Sequence, residues 1–306
     1  MNRLPLSCRI GALISVVTAT PPIGQQAPAV TLERTEFHQL VTEDGATYEI
    51  YVALPPGYEA NTGARYPVLY VLDGQTQFPL VRGVYQYTHG NLIEFGEAAT
   101  PLIIVGLNRA GAQSYLDFLS IRTLDFTPTR SERQEARYLQ EYGRESRTGG
   151  AGAFLTLLKS EIFPWVERRF RVSDDKGLYG FSLGGLFATY VLLTEPEMFN
   201  RYLIGSPSLW WDAPQGFEHL YDNPVMFRLE REYAIKHGDL AARVFISAGT
   251  EEPRIASPVV WLQGLLGSRK YPSLELEYHI FPDETHLSVI PATISRGLRY
   301  LYGDVP

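Results

Sequence analysis

Gly180-Phe181-Ser182-Leu183-Gly184 places a serine between glycines two residues away on each side. That spacing lets the backbone turn more sharply than larger residues allow and leaves one hydroxyl projecting from the bend. The run before it, Lys176-Gly177-Leu178-Tyr179, is short and strand-like, and the run 185–193 after it reads as a buried helix. Strand, tight turn and helix are the setting in which such a serine acts as a nucleophile. The start of the following helix aims unpaired N–H groups, and the positive end of its dipole, at developing oxyanion charge. Ser182 is the candidate nucleophile. The pentapeptide by itself also marks ordinary loops, so its partners must be found elsewhere in the chain.

A serine hydroxyl is a weak nucleophile near neutral pH. It needs a base within hydrogen-bond reach and a third group that fixes the tautomer of that base. Gly249-Thr250-Glu251-Glu252-Pro253 follows the seventh strand-like run, and Pro282-Asp283-Glu284-Thr285-His286-Leu287-Ser288 follows the eighth. Both loops leave the carboxyl ends of strands, where an open parallel sheet gathers its ligand site. The resulting order of serine, carboxylate and histidine is that of the alpha/beta-hydrolases. His286 is the expected base, since His38, His89, His219, His237 and His279 occupy no comparable position. Glu251 and Glu252 are adjacent and point in different directions. Glu252 is the expected acid because the acid in these hydrolases ends such a glycine-started turn; Glu251 is the alternative and Asp283 a third candidate. The same pattern implies an oxyanion hole made by the backbone N–H of Leu183 and one from Leu72-Asp73-Gly74-Gln75-Thr76, where Gly74 lets the backbone approach a ligand and Gln75 is the second donor. The competing reading is that Asp73-Gly74 simply makes a turn.

These loops need a frame. Strand-like runs recur at 33–41, 48–54, 67–72, 102–107, 177–181, 202–205, 243–248 and 274–281. The first two are joined by Thr42-Glu43-Asp44-Gly45, a hairpin signal. The later ones are continuous apolar runs, as required by a sheet covered on both faces. Helical patterns lie between them, the clearest over 150–170 with an interruption near Pro164. Alternating strands and helices imply an α/β, mostly parallel, eight-stranded sheet with helices on both faces. Residues 108–148 read as a polar, weakly periodic insertion over the carboxyl edge of that sheet, where lids commonly arise.

With 306 residues and 45% hydrophobic content the chain can bury one large core, and a single domain over 31–306 is expected. The net charge of −7 leaves no electrostatic footprint for nucleic acid. Arg3 and Arg9 ahead of the apolar run 10–17, with Val17-Thr18-Ala19 as the cleavage site, read as a secretory leader over 1–19. The run is too short to span a membrane, so stable membrane insertion is not expected. Residues 20–30, with Pro21, Pro22 and Pro28, read as an extended linker. The one cysteine, Cys8, lies in the leader, whose removal takes the charge from −7 to −9 and eliminates thiol chemistry from the mature chain. A cleaved leader implies a periplasmic or secreted protein, and an uncleaved one a cytoplasmic protein. There is no His-Glu-x-x-His motif, no Cys/His cluster and no calcium-type carboxylate loop, so no metal site is expected.

With these residues in place the chain resembles the putative-esterase family of alpha/beta-hydrolases, which includes the enterobactin-type siderophore esterases and the esterase D enzymes. The resemblance rests on Tyr66-Pro67-Val68-Leu69-Tyr70-Val71-Leu72-Asp73-Gly74, on Arg122 with Asp125-Phe126-Thr127-Pro128, on Gly180 to Gly185, on Ser206-Pro207-Ser208-Leu209-Trp210-Trp211-Asp212, and on Glu284-Thr285-His286. The Ser-Pro-Ser-x-Trp-Trp element is the most specific of these and looks more like the siderophore esterases. Trp210 or Trp211 is expected to wall the acyl or aromatic side of a substrate pocket, unless both are simply buried apolar area. Arg122 is expected to clamp an anionic substrate group or to pair with Asp125. The resemblance implies hydrolysis of a small-molecule carboxylic ester through an acyl-enzyme, with no metal or organic cofactor. A siderophore trilactone or another extracytoplasmic ester is the expected substrate, although a highly anionic iron complex would favour a basic patch that the sequence lacks. An acyltransferase or thioesterase using the same triad, and a non-catalytic binding module on a hydrolase fold, are the alternatives. Oligomeric state is not legible.

Overall fold

The computed structural model describes residues 31–90, 100–213 and 224–303. The expected leader and linker lie outside them. Each strand-like run forms a strand: β1 (Thr35–Val41), β2 (Thr47–Ala53), β3 (Tyr66–Val71), β4 (Ile103–Arg109), β5 (Val172–Phe181), β6 (Arg201–Gly205), β7 (Ala242–Gly249) and β8 (Leu274–Phe281). They make one sheet in the order β1-β2-β4-β3-β5-β6-β7-β8. β2 pairs antiparallel with β1 and β4, and every other neighbouring pair is parallel. The β1–β2 connection closes as the hairpin signal predicts, with Gly45 N–H donating to the Thr42 carbonyl at 2.9 Å.

Side chains alternate across a pleated strand, so a run apolar throughout must be covered on both faces. Val68, Tyr70 and Leu72 of the β3 segment, Tyr202 and Ile204 of β6, and Val244 and Ile246 of β7 enter one core. Their neighbours Leu69, Val71, Leu203 and Phe245 enter a second core on the opposite face. Helices α1 (Gly74–Gly90) and α9 (Ile290–Tyr302) cover the second core, packing on each other. Helices α4 (Ala151–Leu157), α5 (Phe163–Arg169), α6 (Leu183–Thr194), α7 (Val225–Lys236) and α8 (Pro253–Arg269) contribute to the first. Eight mostly parallel strands sandwiched in this way are the alpha/beta-hydrolase fold. No helix among the described residues is long and apolar enough to cross a membrane.

The helical pattern over 150–170 is interrupted near Pro164, as the sequence suggests, but the proline itself does not end it. It is relieved one turn earlier, where residues 158–162 widen into a π turn and Phe163 N–H donates to the Leu158 carbonyl. The missing proline N–H is absorbed by the register change, and Pro164 sits in the first turn of α5. The polar insertion contains two helices, α2 (Tyr115–Phe126) and α3 (Glu132–Tyr142). Ser114 caps the first by accepting from Asp117 N–H, and Ser131 caps the second by accepting from Gln134 N–H. Phe126 of α2 anchors the insertion against Phe154 of α4 and Phe187 of α6, with ring centroids 5.7 and 5.9 Å away.

Candidate active site

Ser182 stands between β5 and α6 with φ 60° and ψ −115°, a conformation that a residue with a side chain adopts only under constraint. The constraint is local crowding. A Cβ at Gly180 would lie 2.0 Å from the Gly184 carbonyl oxygen, so the bend closes only with hydrogen at that position. Ser182 N–H donates to the Gly205 carbonyl at 2.9 Å and so ties the bend to β6. Ser182 is the N-cap of α6, yet its side chain makes no capping bond and its hydroxyl remains directed elsewhere.

The hydroxyl meets His286: Oγ lies 3.1 Å from Nε2, and Nδ1 lies 2.6 Å from Oε2 of Glu252. A carboxylate only accepts, so Nδ1 carries a proton, and in the neutral imidazole Nε2 is then the acceptor for the serine. The imidazole also lies over the Phe181 ring, with centroids 4.9 Å apart. Glu252 is the carboxylate that the structure joins to His286. The loops bearing these two residues are laced together: Thr250 N–H donates to the Phe281 carbonyl at 2.9 Å, Asp283 N–H to Thr250 Oγ1 at 2.8 Å, and Glu251 N–H to the Glu284 carbonyl at 3.0 Å. Glu251 and Asp283 thus serve the loop through their backbones.

Glu252 is buried, and its second oxygen accepts from Gly249 N–H at 2.7 Å and from Ser206 Oγ at 2.5 Å. Burial alone would raise the carboxyl pKa. The hydrogen bonds from His286, Gly249 and Ser206 outweigh it and leave the pKa below the ordinary value of 4.5.

Leu183 and Gln75 occupy the first turns of α6 and α1, where backbone N–H groups have no intrahelical acceptor. The two helix starts are neighbours, since a Cβ at Gly184 would lie 3.5 Å from Asp73 Oδ2 and 3.6 Å from Leu72 Cβ. Asp73 adopts φ 54°, and its carbonyl accepts from Thr76 and Gln77 N–H at 2.9 Å each, which starts α1. The requirement for glycine at 74 differs from the one expected. A Cβ there would meet Leu107 N at 2.7 Å, so the small residue admits strand β4 rather than a ligand.

Arg122 does not pair with Asp125. Its Nε and one terminal nitrogen each donate to Asp73 at 2.8 Å, and that terminal nitrogen also reaches the Phe181 carbonyl at 3.2 Å. Asp125 instead takes Arg109 at 3.0 Å and the Tyr48 hydroxyl at 3.2 Å. With its side chain 10% exposed, Arg122 is an internal brace beneath the candidate site, not an exposed clamp for substrate. The tryptophans divide. Trp211 is buried, and its indole N–H donates to the Thr129 carbonyl at 3.2 Å, as the alternative of buried apolar area requires. Trp210 is half-buried and packs against the core edge.

The sequence offers Asp73 only as part of the oxyanion loop or of a turn, and marks no side-chain role for Asp73, Ser206 or Phe181. Asp73-Gly74 after β3 and Ser206 after β6 carry no spacing that predicts their partners, because those partners come from distant segments.

The chain is 28% identical over 296 residues to the ferri-bacillibactin esterase BesA of Bacillus subtilis (strain 168), across 92% of this chain and 95% of that protein. It is 25% identical over 316 residues to the siderophore triacetylfusarinine C esterase of Aspergillus fumigatus, across 93% and 98%. Among solved structures it is similar to the BES protein from Bacillus cereus, with a TM-score of 0.73 and 26% identity over 91% of this chain and 99% of that one. Residues 43–286 match the family described as "Putative esterase", and the chain belongs to that family of esterases.

Proposed function

We propose that this esterase is a serine hydrolase that cleaves carboxylic esters through a covalent acyl-enzyme. The observation that carries the reading is the continuous line from Ser182 Oγ to His286 Nε2 at 3.1 Å and from His286 Nδ1 to Glu252 Oε2 at 2.6 Å. Ser182 Oγ attacks the ester carbonyl carbon as its proton passes to His286 Nε2. Glu252 holds the imidazole in the accepting tautomer and offsets the charge that forms on it. The carbonyl oxygen becomes an oxyanion facing the N–H groups of Leu183 and Gln75. His286 returns the proton to the leaving alkoxide, and the acyl group remains on Ser182. Water then attacks that ester with His286 again acting as base, releasing the acid and restoring the serine. No step calls on a cofactor.

For the substrate we propose a siderophore trilactone or another extracytoplasmic ester, because two relatives similar to nearly the whole chain are named as a ferri-bacillibactin esterase and a siderophore triacetylfusarinine C esterase. Processing of residues 1–19 would place the enzyme in the periplasm or outside the cell. Ser182→Ala tests the chemistry: it is expected to abolish turnover of a short p-nitrophenyl ester and labelling by a fluorophosphonate, with the melting temperature retained. Undiminished hydrolysis by that variant refutes the nucleophile assignment. A panel of iron-loaded and iron-free trilactones, aryl esters and acyl-thiols tests the substrate class.

A further inference from the structure

Ser206 is fully buried and stands at φ 38°, directly after β6, with its N–H donating to the Ser247 carbonyl at 2.8 Å. Its hydroxyl oxygen is 2.5 Å from Glu252 Oε1, the carboxylate oxygen turned away from His286. A carboxylate has two oxygens and one free torsion about the bond that joins it to its stem. A single contact to His286 at Oε2 leaves that torsion soft. Gly249 N–H at 2.7 Å and the Ser206 hydroxyl reach Oε1 from two different elements, and together with His286 they remove the remaining freedom. Gly249 belongs to the same turn as Glu252 and moves with it. Ser206 comes from the neighbouring strand, which also receives Ser182 N–H at Gly205, so it registers the acid against the strand that holds the nucleophile's bend. Among the described residues the Ser206 hydroxyl meets Glu252 alone, and the strained backbone that aims it would be an idle cost if the hydroxyl did nothing.

Resting on the triad reading above, we propose that Ser206 is a positioning residue of the acid: it fixes the rotation of the Glu252 carboxylate and acts on catalysis only through Glu252. A charge-assisted hydrogen bond inside a buried network is among the stronger ones, and its loss leaves the carboxylate both freer and more basic. A more basic carboxylate holds the imidazole proton more firmly, so the acid limb of the rate profile moves to higher pH when the hydroxyl is removed.

Ser206→Ala keeps the Cβ and the backbone strain and deletes only the oxygen. It is expected to lower kcat/KM about tenfold, chiefly in kcat, and to shift the acid limb of kcat/KM upward. In a Glu252→Ala background the same substitution is expected to cost nothing further, because its one target is gone. Melting temperatures establish that each variant folds, and Ser206→Gly, which also relieves the positive φ, is the second variant should the alanine form fold poorly. Equal losses from Ser206→Ala in both backgrounds, or an unshifted acid limb, overturn the inference by making the residue merely structural. A Ser206→Ala enzyme indistinguishable from wild type beside a Glu252→Ala enzyme that has lost activity overturns the inference and leaves the triad intact. Wild-type activity in Glu252→Ala removes the triad acid and the inference with it.

Discussion

Arg122 grips Asp73 as a fork grips a carboxylate, and the same guanidinium touches the carbonyl of the residue that immediately precedes Ser182. One buried cation therefore joins the loop proposed to supply an oxyanion donor to the strand end that carries the proposed nucleophile. Removing half of a buried pair leaves an uncompensated charge, whereas the intact pair contributes little net stability. Arg122→Met is accordingly expected to destabilise the fold by about 3–5 kcal/mol, measured by urea denaturation. Asp73→Asn, which tolerates the left-handed backbone, is expected to cost less. A neutral Arg122→Met result would mean that water reaches Asp73.

Stability should depend on pH through Glu252. Its pKa in the folded protein is depressed below 4.5, so folding favours the ionised form. That contribution is complete above the unfolded value and disappears as the pH falls through the folded one. Wild type is expected to be more stable than Glu252→Gln at neutral pH, with the gap closing on acidification below about pH 4. Denaturant midpoints of both proteins across that range check the sign. A gap that widens in acid contradicts the depressed pKa.

Gly180→Ala tests the bend. The added methyl would sit 2.0 Å from a backbone oxygen, which cannot swing aside as a side chain can. A destabilisation of about 1–3 kcal/mol is expected from the overpacking, together with a fall in kcat of about a hundredfold from displacement of Ser182. Thermal melts and single-turnover kinetics separate the two effects.

The adjacent tryptophans should behave differently. Trp211→Ala opens a cavity and orphans the Thr129 carbonyl, with an expected cost of about 3–5 kcal/mol in stability. Trp210→Ala is expected to leave stability closer to wild type and to raise KM for bulky aryl esters more than for acetate esters. Parallel melts and a short series of p-nitrophenyl and naphthyl substrates distinguish them.

Much of this arrangement is legible in the residues because its signals are local. The strands announce themselves as short apolar runs, the bend as a serine among glycines, and the order of Ser182, Glu252 and His286 follows from which loops leave strand ends. What escapes is set by contacts between segments far apart in the chain. Arg122 lies 49 positions from Asp73, and Ser206 lies 46 positions from Glu252, with nothing in either neighbourhood to mark the match. The insertion is a different case. Ser114 and Ser131, each followed three residues later by Asp117 and Gln134, are cap signals present in the sequence. The polarity of the stretch masks them, although α3 needs few apolar residues to cover the little surface it buries.

The lacing between the β7–α8 and β8–α9 loops makes the proposed acid and base a single prefabricated piece, delivered to Ser182 from one side of the sheet. Assembly of the proposed catalytic line then reduces to a single alignment, the offset of that piece relative to the middle strands. A change that slides the outer strands would detune the serine–histidine gap while sparing the histidine–glutamate one, so the two spacings in this enzyme are free to evolve separately.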